Sequence, residues 1–412
     1  MTDSKRSLFF VTYQYPYLPG EYFIESEISH LAKVFDEVWV FPDRSLWWKS
    51  DLPPREMPAG VRLCDVRETP ILVRLSWVFE GAIKAIPFML KEGSIWPGDV
   101  RSNKASLFKQ LKGSFKLMAT CAAERWFLRN KVNEKAPVAY AYWRLEAAAA
   151  LACLKWQGQL SRLYVRCHRC DIYKPERYPF EGIVHQQANG IFPVSDDGKG
   201  YLIEEKGLDA SNIAVKRLGV ALPETCSSGS ADGVWRIVSC SNIIPVKRVD
   251  LIANVIAQLG HECEWTHIGD GPLLGDVKSI TKKYPEGVSV NFTGRITNAE
   301  VLAIYQNEPV DLFINLSESE GVPVSIMEAL AHGIPVVATD VGGSSEIIDS
   351  ENGRIVDVDE PISNVVAAVV SLLEDEGHRL KARDAARRMA EGRCSAERNY
   401  KAFAGMLLED VS

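Results

Sequence analysis

One stretch limits this chain more than any other: residues 311–349, DLFINLSESEGVPVSIMEALAHGIPVVATDVGGSSEIID. An apolar strand at 312–316 runs into a polar loop, Ser317-Glu318-Ser319-Glu320-Gly321-Val322-Pro323. A helix follows, with apolar positions at Ile326, Met327, Leu330 and Ala331, and Gly333 ends it. A second apolar strand, 335–339, then leads to Val341-Gly342-Gly343. Strand, loop, helix, turn and strand make a βαβ unit. A ligand in such a unit sits beyond the carboxyl end of the strand, against the helix N-terminus.

Glu320 lies in the loop, where it can face the reacting part of a ligand. Glu328 lies inside the helix, where an ionised carboxylate is costly unless something hydrogen-bonds to it. Ribose hydroxyls are such a partner. Between the two, the free amides after Gly321 point at any anion that docks on the helix end. An isolated pair of glutamates would read as a surface residue and a salt-bridged one, but here the whole 39-residue unit carries the pattern.

Glu320-Gly-Val-Pro, Glu328-Ala-Leu, Gly333-Ile-Pro-Val-Val-Ala-Thr and Gly342-Gly343 with Glu346 together resemble the signature of the retaining glycosyltransferases of family 4. The resemblance implies an α/β chain of the GT-B fold. That fold has two Rossmann-like parallel-sheet domains facing each other across a cleft, with the last helix crossing back to the first domain. The expected organisation is an acceptor-side domain at 1–222, a linker at 223–233, a nucleotide-sugar domain at 234–394 and a returning helix at 395–412. The linker is the only Ser/Gly-rich stretch, LPETCSSGSADG at 222–233.

The chain's 412 residues suffice for two such domains. A formal net charge of −7 excludes a general nucleic-acid binder. Nine cysteines without framework spacing point to reduced thiols and the cytoplasm. The apolar run 8–12 is cut short by Tyr13-Gln14-Tyr15-Pro16, so it reads as a first buried strand rather than a signal peptide. Further strands are expected at 37–41, 138–143, 163–166, 190–194, 213–217, 235–239, 264–268 and 288–292. Helices are expected at 21–34, 196–206, 362–373 and 379–408.

The other site candidates sit at strand ends. Gly20 and Glu21 follow the first strand, where a glycine lets backbone approach a ligand closely. The resemblance places donor diphosphate and acceptor there: Gly20 on the donor side, Glu21 on the acceptor side. Ser239-Cys-Ser-Asn242-Ile-Ile-Pro-Val-Lys247-Arg248 follows the second domain's first strand. A lysine here can neutralise the charge on a departing nucleoside diphosphate. The family has an arginine and a lysine five residues apart. Lys247 matches the lysine, whereas Asn242 stands where the arginine usually is, so either Arg248 compensates or the pyrophosphate is held with less charge. Gly269-Asp270 and Gly294-Arg295-Ile296 close the next two strands and, by resemblance, shape the nucleoside pocket, though turn chemistry alone would explain the glycines. Val165-Arg166-Cys167-His168-Arg169-Cys170 ends a strand of the first domain. The family has an active-site histidine at such a position, which makes His168 the candidate. Cys167 and Cys170 form a C-x-x-C compatible with zinc, redox chemistry or two structural thiols.

Residues 101–131 hold eight Lys/Arg against one acid, Glu124, interleaved with Leu107, Leu111, Phe115 and Met118. That composition suits a helix lying on anionic lipid, and equally the solvated face of a core helix. The reading is a retaining glycosyltransferase. It moves a hexosyl or N-acetylhexosaminyl group from a UDP- or GDP-sugar to a hydroxyl of a glycan or lipid-linked acceptor, in polysaccharide or glycoconjugate biosynthesis. His168, Glu320 and Lys247 are the expected catalytic residues. The donor would be held by Gly20, Asn242, Lys247, Arg248, Gly269, Asp270, Arg295, Ile296, Glu320, Gly321, Val322, Pro323 and Glu328. No cofactor or metal is expected. The protein would be cytoplasmic, with possible contact at the inner face of the plasma membrane. The alternatives are a GT-B nucleotide-sugar 2-epimerase, whose Glu-Arg-Pro-Glu segment is missing here, and a non-catalytic nucleotide-sugar-binding protein, which only Asn242 favours.

Overall fold

The computed structural model describes residues 6–17, 20–46, 53–95, 107–132, 137–173 and 180–409. The chain forms two compact units. Unit 1 is Met1–Val194, Gly198–Lys216 and Tyr400–Ser412, and unit 2 is Ser195–Asp197 and Arg217–Asn399.

Unit 1 is built on six parallel strands: β1 (Ser7–Thr12), β2 (Glu37–Pro42), β3 (Val61–Leu63), β4 (Val138–Ala141), β5 (Arg162–Cys167) and β6 (Gly190–Pro193), in the order β3-β2-β1-β4-β5-β6. Every residue of β1 and β4 is buried, because a parallel sheet is covered on both faces. The main helices are α1 (Ile24–Val34), α2 (Ile71–Ile95), α3 (Leu107–Phe127) and α4 (Glu146–Trp156). Residues 147–154 of α4 are all buried, and their run of alanines lets the helix lie close to the sheet.

Several expectations shift. The first helix starts at Ile24 rather than 21, because Glu21 has a left-handed backbone (φ 50°) and leads into a turn. Residues 213–216 run beside β6, with Ala214 N–H donating to Ile191 and Lys216 N–H to Pro193, but only Ile213 forms a bridge. Of the basic segment, 101–106 lie outside the described residues. The rest is α3, which buries Leu117, Met118, Ala119, Cys121 and Ala122 and leaves Lys112 exposed, with Arg129 and Lys131 exposed in the turn that follows. The described part of the segment is thus a core-packed helix with exposed charges on its outer side.

Unit 2 repeats the plan with β7 (Trp235–Cys240), β8 (Cys263–Ile268), β9 (Val288–Gly294), β10 (Leu312–Asn315), β11 (Val336–Thr339) and β12 (Gly353–Val356), all parallel, in the order β12-β11-β10-β7-β8-β9. Renumbered from its own first strand, this is the same 3-2-1-4-5-6 order. β3 and β12, both short edge strands, were not legible in the sequence.

The linker residues are stitched to unit 2: Ser227 N–H donates to His332 O at 2.8 Å, and Asp311 accepts from Ser230 and from Arg236 N–H. The helix expected at 379–408 is broken into Glu376–Met389 and Ala396–Glu409 around a π-turn, Ala390–Cys394. Val220 causes the break by pairing strand-fashion with Ser395: its N–H donates to Cys394 O, and its carbonyl accepts from Ala396 N–H. Beyond Asn399 this last helix belongs to unit 1. There Phe403, Ala404 and Leu407 join Leu8, Phe10 and Tyr140 in the core. The guanidinium of Arg166 lies 4.4 Å from the Phe403 ring centre and donates to Tyr140 Oη, Lys216 O and Glu27 Oε1, the last at 3.1 Å, which offsets the cost of burying its charge.

Candidate functional site

In each unit the strand order reverses between the first and fourth strands, the point where open α/β sheets bind ligands. In unit 2 that point lies between β7 and β10. Lys247, on the short turn Pro245–Lys247 after β7, donates from Nζ to Glu320 Oε1 in the loop after β10. Asn315, the last residue of β10, adds its Nδ2 to the same oxygen at 3.4 Å. The Glu320 loop is fixed by Gly342, whose φ of 56° suits glycine and where a Cβ would come within 2.2 Å of Glu320 O. Gly343 N–H donates to Gly321 O at 2.6 Å. The Gly-Gly of the sequence signature therefore holds the loop that carries Glu320, and Glu346 is occupied with Arg217 and with Asp197 N–H.

Gly321 and Val322 are half-buried and Pro323 caps the helix Val324–Ala331, which has no acidic residue in its first turn. Glu328 faces inward from that helix, 8% exposed, and Oε1 accepts from Asn298 Nδ2 at 2.7 Å. Burial lifts its carboxyl to about 7, with the Asn298 bond pulling the other way. Asn298 was not singled out in the sequence. Its signal was the capping box Thr297/Glu300, which fixes the start of the helix Asn298–Asn307.

Arg248 does not stand beside Lys247 as a second cation. Its backbone is left-handed (φ 45°), and its guanidinium turns onto backbone, Nε to Leu316 O and Nη1 to Val358 O, each at 2.7 Å. Asn242 is exposed. The neighbouring loops are knit together. Gly269 N–H donates to Gly294 O at 3.0 Å, Ile243 N–H donates to Asp270 O, and a Cβ on Gly269 (φ 138°) would sit 2.0 Å from Ser241 O. Arg295 is exposed and Ile296 half-buried on the same rim. Beneath it, Trp265 Nε1 donates to Ser239 Oγ at 2.9 Å and Ser239 Oγ bonds His267 Nδ1 at 2.8 Å, which braces the ends of β7 and β8.

In unit 1 the reversal point lies between β1 and β4, and Glu21 occupies it. Its carboxylate accepts from the N–H groups of Tyr13 (3.2 Å), Gln14 (2.6 Å) and Tyr15 (2.5 Å) and from Trp143 Nε1. Glu21 thus shapes the loop after β1, while Gly20 (φ 126°) packs on the Gln14 side chain. Beside it a small crevice is lined by Thr12, Tyr13, Asp43, Trp143 and Leu145, and burial raises Asp43 to about 7.

His168 follows β5. Its N–H donates to Asp171 Oδ1 at 2.6 Å, and Asp171 Oδ2 accepts from Arg144 N–H at 2.8 Å. The imidazole is 9% exposed and lies against Tyr142 (ring centres 4.7 Å apart) and Trp143 (4.4 Å). Neither ring nitrogen has a hydrogen-bond partner. Burial, and then the Arg166 charge, hold His168 well below the usual histidine range, so it is neutral at physiological pH. Cys167 is buried and its thiol pushed up by burial, whereas Cys170 is exposed. Among the described residues no group of three or more His, Cys, Asp or Glu is placed to hold a metal ion.

Two Rossmann-like units of this topology define a GT-B chain. Its whole length superimposes on a lipopolysaccharide outer core galactosyltransferase, WaaB in the apo form (TM-score 0.69, 14% identity, 98% of this chain and 99% of that one). It also superimposes on Anabaena Alr3699/HepE in complex with UDP (TM-score 0.67, 15% identity, 98% and 100%). Residues 226–389 match the family described as glycosyl transferases group 1. Over 167 residues the chain is 29% identical to the O-antigen biosynthesis glycosyltransferase WbnH of Escherichia coli, which covers 40% of this chain and 46% of that protein. Over 147 residues it is 31% identical to the N-acetyl-alpha-D-glucosaminyl L-malate synthase of Bacillus anthracis, covering 35% and 37%. The chain therefore spans between about a third and just under half of the length of the curated relatives it matches.

Proposed function

We propose that this protein is a retaining glycosyltransferase. It moves a sugar from a UDP- or GDP-sugar to a hydroxyl of a glycan or lipid-linked acceptor in surface-polysaccharide biosynthesis. The observation that carries the reading is the Lys247–Glu320 pair at the carboxyl ends of β7 and β10, with buried Glu328 on the helix after β10, all inside the matched segment. The names of the relatives support the polysaccharide setting.

In this reading the diphosphate docks on Lys247 and the first-turn amides of the helix Val324–Ala331, and Glu328 takes the ribose hydroxyls. Glu320 exchanges Lys247 for the donor. Gly269, Asp270, Asn242, Arg295 and Ile296 form the rim around the nucleoside. Neutral His168, with two unpartnered nitrogens, bonds sugar or acceptor hydroxyls. The acceptor attacks on the face from which the diphosphate leaves, and a phosphate oxygen takes its proton. The chain contributes positioning and charge stabilisation, with no metal required. Arg248, Glu21 and Gly20 support the loops that carry these groups.

Among the described residues no helix is long and apolar enough to cross a membrane, and we propose a peripheral position at the membrane's inner face. The test is nucleotide release from a panel of UDP-, GDP- and ADP-sugars, with and without chelator, followed by product analysis. Interconversion of the donor sugar without transfer would indicate an epimerase, and tight binding without turnover a scaffold.

A further inference from the structure

Helix α2 is apolar on its outer face as well as on the face it buries. Trp77, Gly81 and Ala85 form the inner seam, and Gly81 lies so close to α3 that a Cβ would come within 2.9 Å of Ala119 Cβ. Opposite them run Leu72, Leu75, Phe79, Ile83 and Ile86, each between 53% and 76% exposed. Spacings of three, four, four and three residues place these five on one continuous face. Single exposed leucines are ordinary, but an uninterrupted row is not. A helix that is apolar all round is covered by something on both sides.

Charge decides what covers it. Residues 71–132 hold eleven Lys/Arg against four Asp/Glu, in a chain whose formal net charge is −7. Two of those acids are already neutralised. Glu80 pairs with Lys84 at 2.5 Å and Arg125 at 2.6 Å, and Glu124 is fully buried and held protonated by burial. Lys112, Arg129 and Lys131 remain exposed on α3 and the turn after it. A second copy of the chain meeting this face would bring two cationic surfaces together, which costs energy. An anionic bilayer surface takes both features at once: the apolar row enters the headgroup–acyl boundary and the cations meet the headgroups.

We propose that the outer face of α2 docks the protein on an anionic membrane, with Leu72, Leu75, Phe79, Ile83 and Ile86 entering the interface and the exposed cations Lys112, Arg129 and Lys131 of α3 and the turn after it contacting lipid phosphates. This places the contact on the apolar helix before the basic segment rather than on the basic segment alone. It deepens the reading of a lipid-linked acceptor, yet it is measured without turnover, so the two fail separately. The test is flotation of the full chain with vesicles of phosphatidylcholine plus phosphatidylglycerol, and of phosphatidylcholine alone, at low and physiological salt. Wild type floats with the anionic vesicles more than with the neutral ones, and less as salt rises. Leu75→Glu/Phe79→Glu lowers the binding constant about tenfold or more while melting temperature and nucleotide binding stay unchanged, because both side chains are exposed. Lys112→Glu/Lys131→Glu weakens binding and flattens the salt dependence. The proposal is overturned if wild type fails to float at low salt or the apolar double variant floats as wild type does. It is equally overturned if wild type is a dimer that the apolar variant makes monomeric without any lipid binding.

Discussion

Lys247 and Glu320 satisfy one another: the ammonium at the end of β7 donates to the carboxylate beyond β10, across the point where the strand order reverses. The proposed diphosphate-binding cation is thus paired with a carboxylate. In the proposed reading, donor binding moves Lys247 from Glu320 to the diphosphate and leaves the Glu320 carboxylate to Asn315 Nδ2 and to donor hydroxyls.

Lys247→Ala is expected to lower turnover on the order of 10² to 10³-fold, far more than it raises the Michaelis constant for donor, because the diphosphate's charge grows as it leaves. Arg248 is turned onto Leu316 O and Val358 O and does not substitute. Adding Asn242→Arg restores part of the rate. Single-turnover kinetics at saturating donor decide the matter, and near-normal turnover in the single variant would place leaving-group stabilisation elsewhere.

Glu328 carries a pH signature. Its folded-state carboxyl lies near 7, above the ordinary value of 4.5, so the folded protein holds a proton that the unfolded chain releases. Its contribution is most favourable below pH 4.5 and is lost as pH rises to about 7. Glu328→Gln should therefore gain stability relative to wild type over that window, on the order of 1–3 kcal/mol above pH 7. Nucleoside-diphosphate affinity should move the other way, rising with pH in wild type as the carboxylate forms and staying flat in the variant. Denaturant unfolding and calorimetric titration at pH 5, 6, 7 and 8 read both, and a pH-independent difference in stability would contradict the assignment.

Glu21→Ala removes the acceptor from three consecutive backbone N–H groups and Trp143. Charge-assisted bonds of this kind contribute roughly 1.5–3 kcal/mol each, with water recovering much of that. The expected loss is about 2–4 kcal/mol in urea unfolding, with donor affinity of a folded sample reduced less than stability. A loss below the error of the measurement would show that the loop after β1 holds its shape without the carboxylate.

His168→Phe keeps a flat ring against Tyr142 and Trp143 and removes two buried, unpartnered nitrogens. Stability should stay within about 1 kcal/mol of wild type, since no protein hydrogen bond is lost, while turnover falls. Because the imidazole is already neutral, the wild-type rate should show no limb from this group between pH 6.5 and 8. Unchanged turnover would make His168 a core ring only.

Some of this was legible in the chain itself. The alternation of apolar runs with helical periodicity gave the α/β class, and the βαβ unit around Glu320 and Glu328 stood out because its strand, loop and helix are contiguous. Local order of that kind is written in sequence: a strand end and the helix after it are fixed to each other by a few residues of loop. Edge strands β3 and β12 were missed because each carries an arginine and is only partly buried, so neither shows the continuous apolar run of the central strands. The interruption at Ala390–Cys394 was missed because Val220, far away in the chain, causes it.

The chain alone therefore determined which residue types stand at the strand ends, but not how each is used. Arg248 and Lys247 are neighbours in sequence with the same charge. Only the fold shows that a left-handed backbone swings one onto carbonyls and leaves the other facing Glu320. Asn298 became the partner of Glu328 across thirty residues, and Glu21 the plug of the first reversal point, for the same reason. Hydrogen bonds between elements depend on how sheets and helices pack in three dimensions, and that packing is a property of the whole core rather than of any segment.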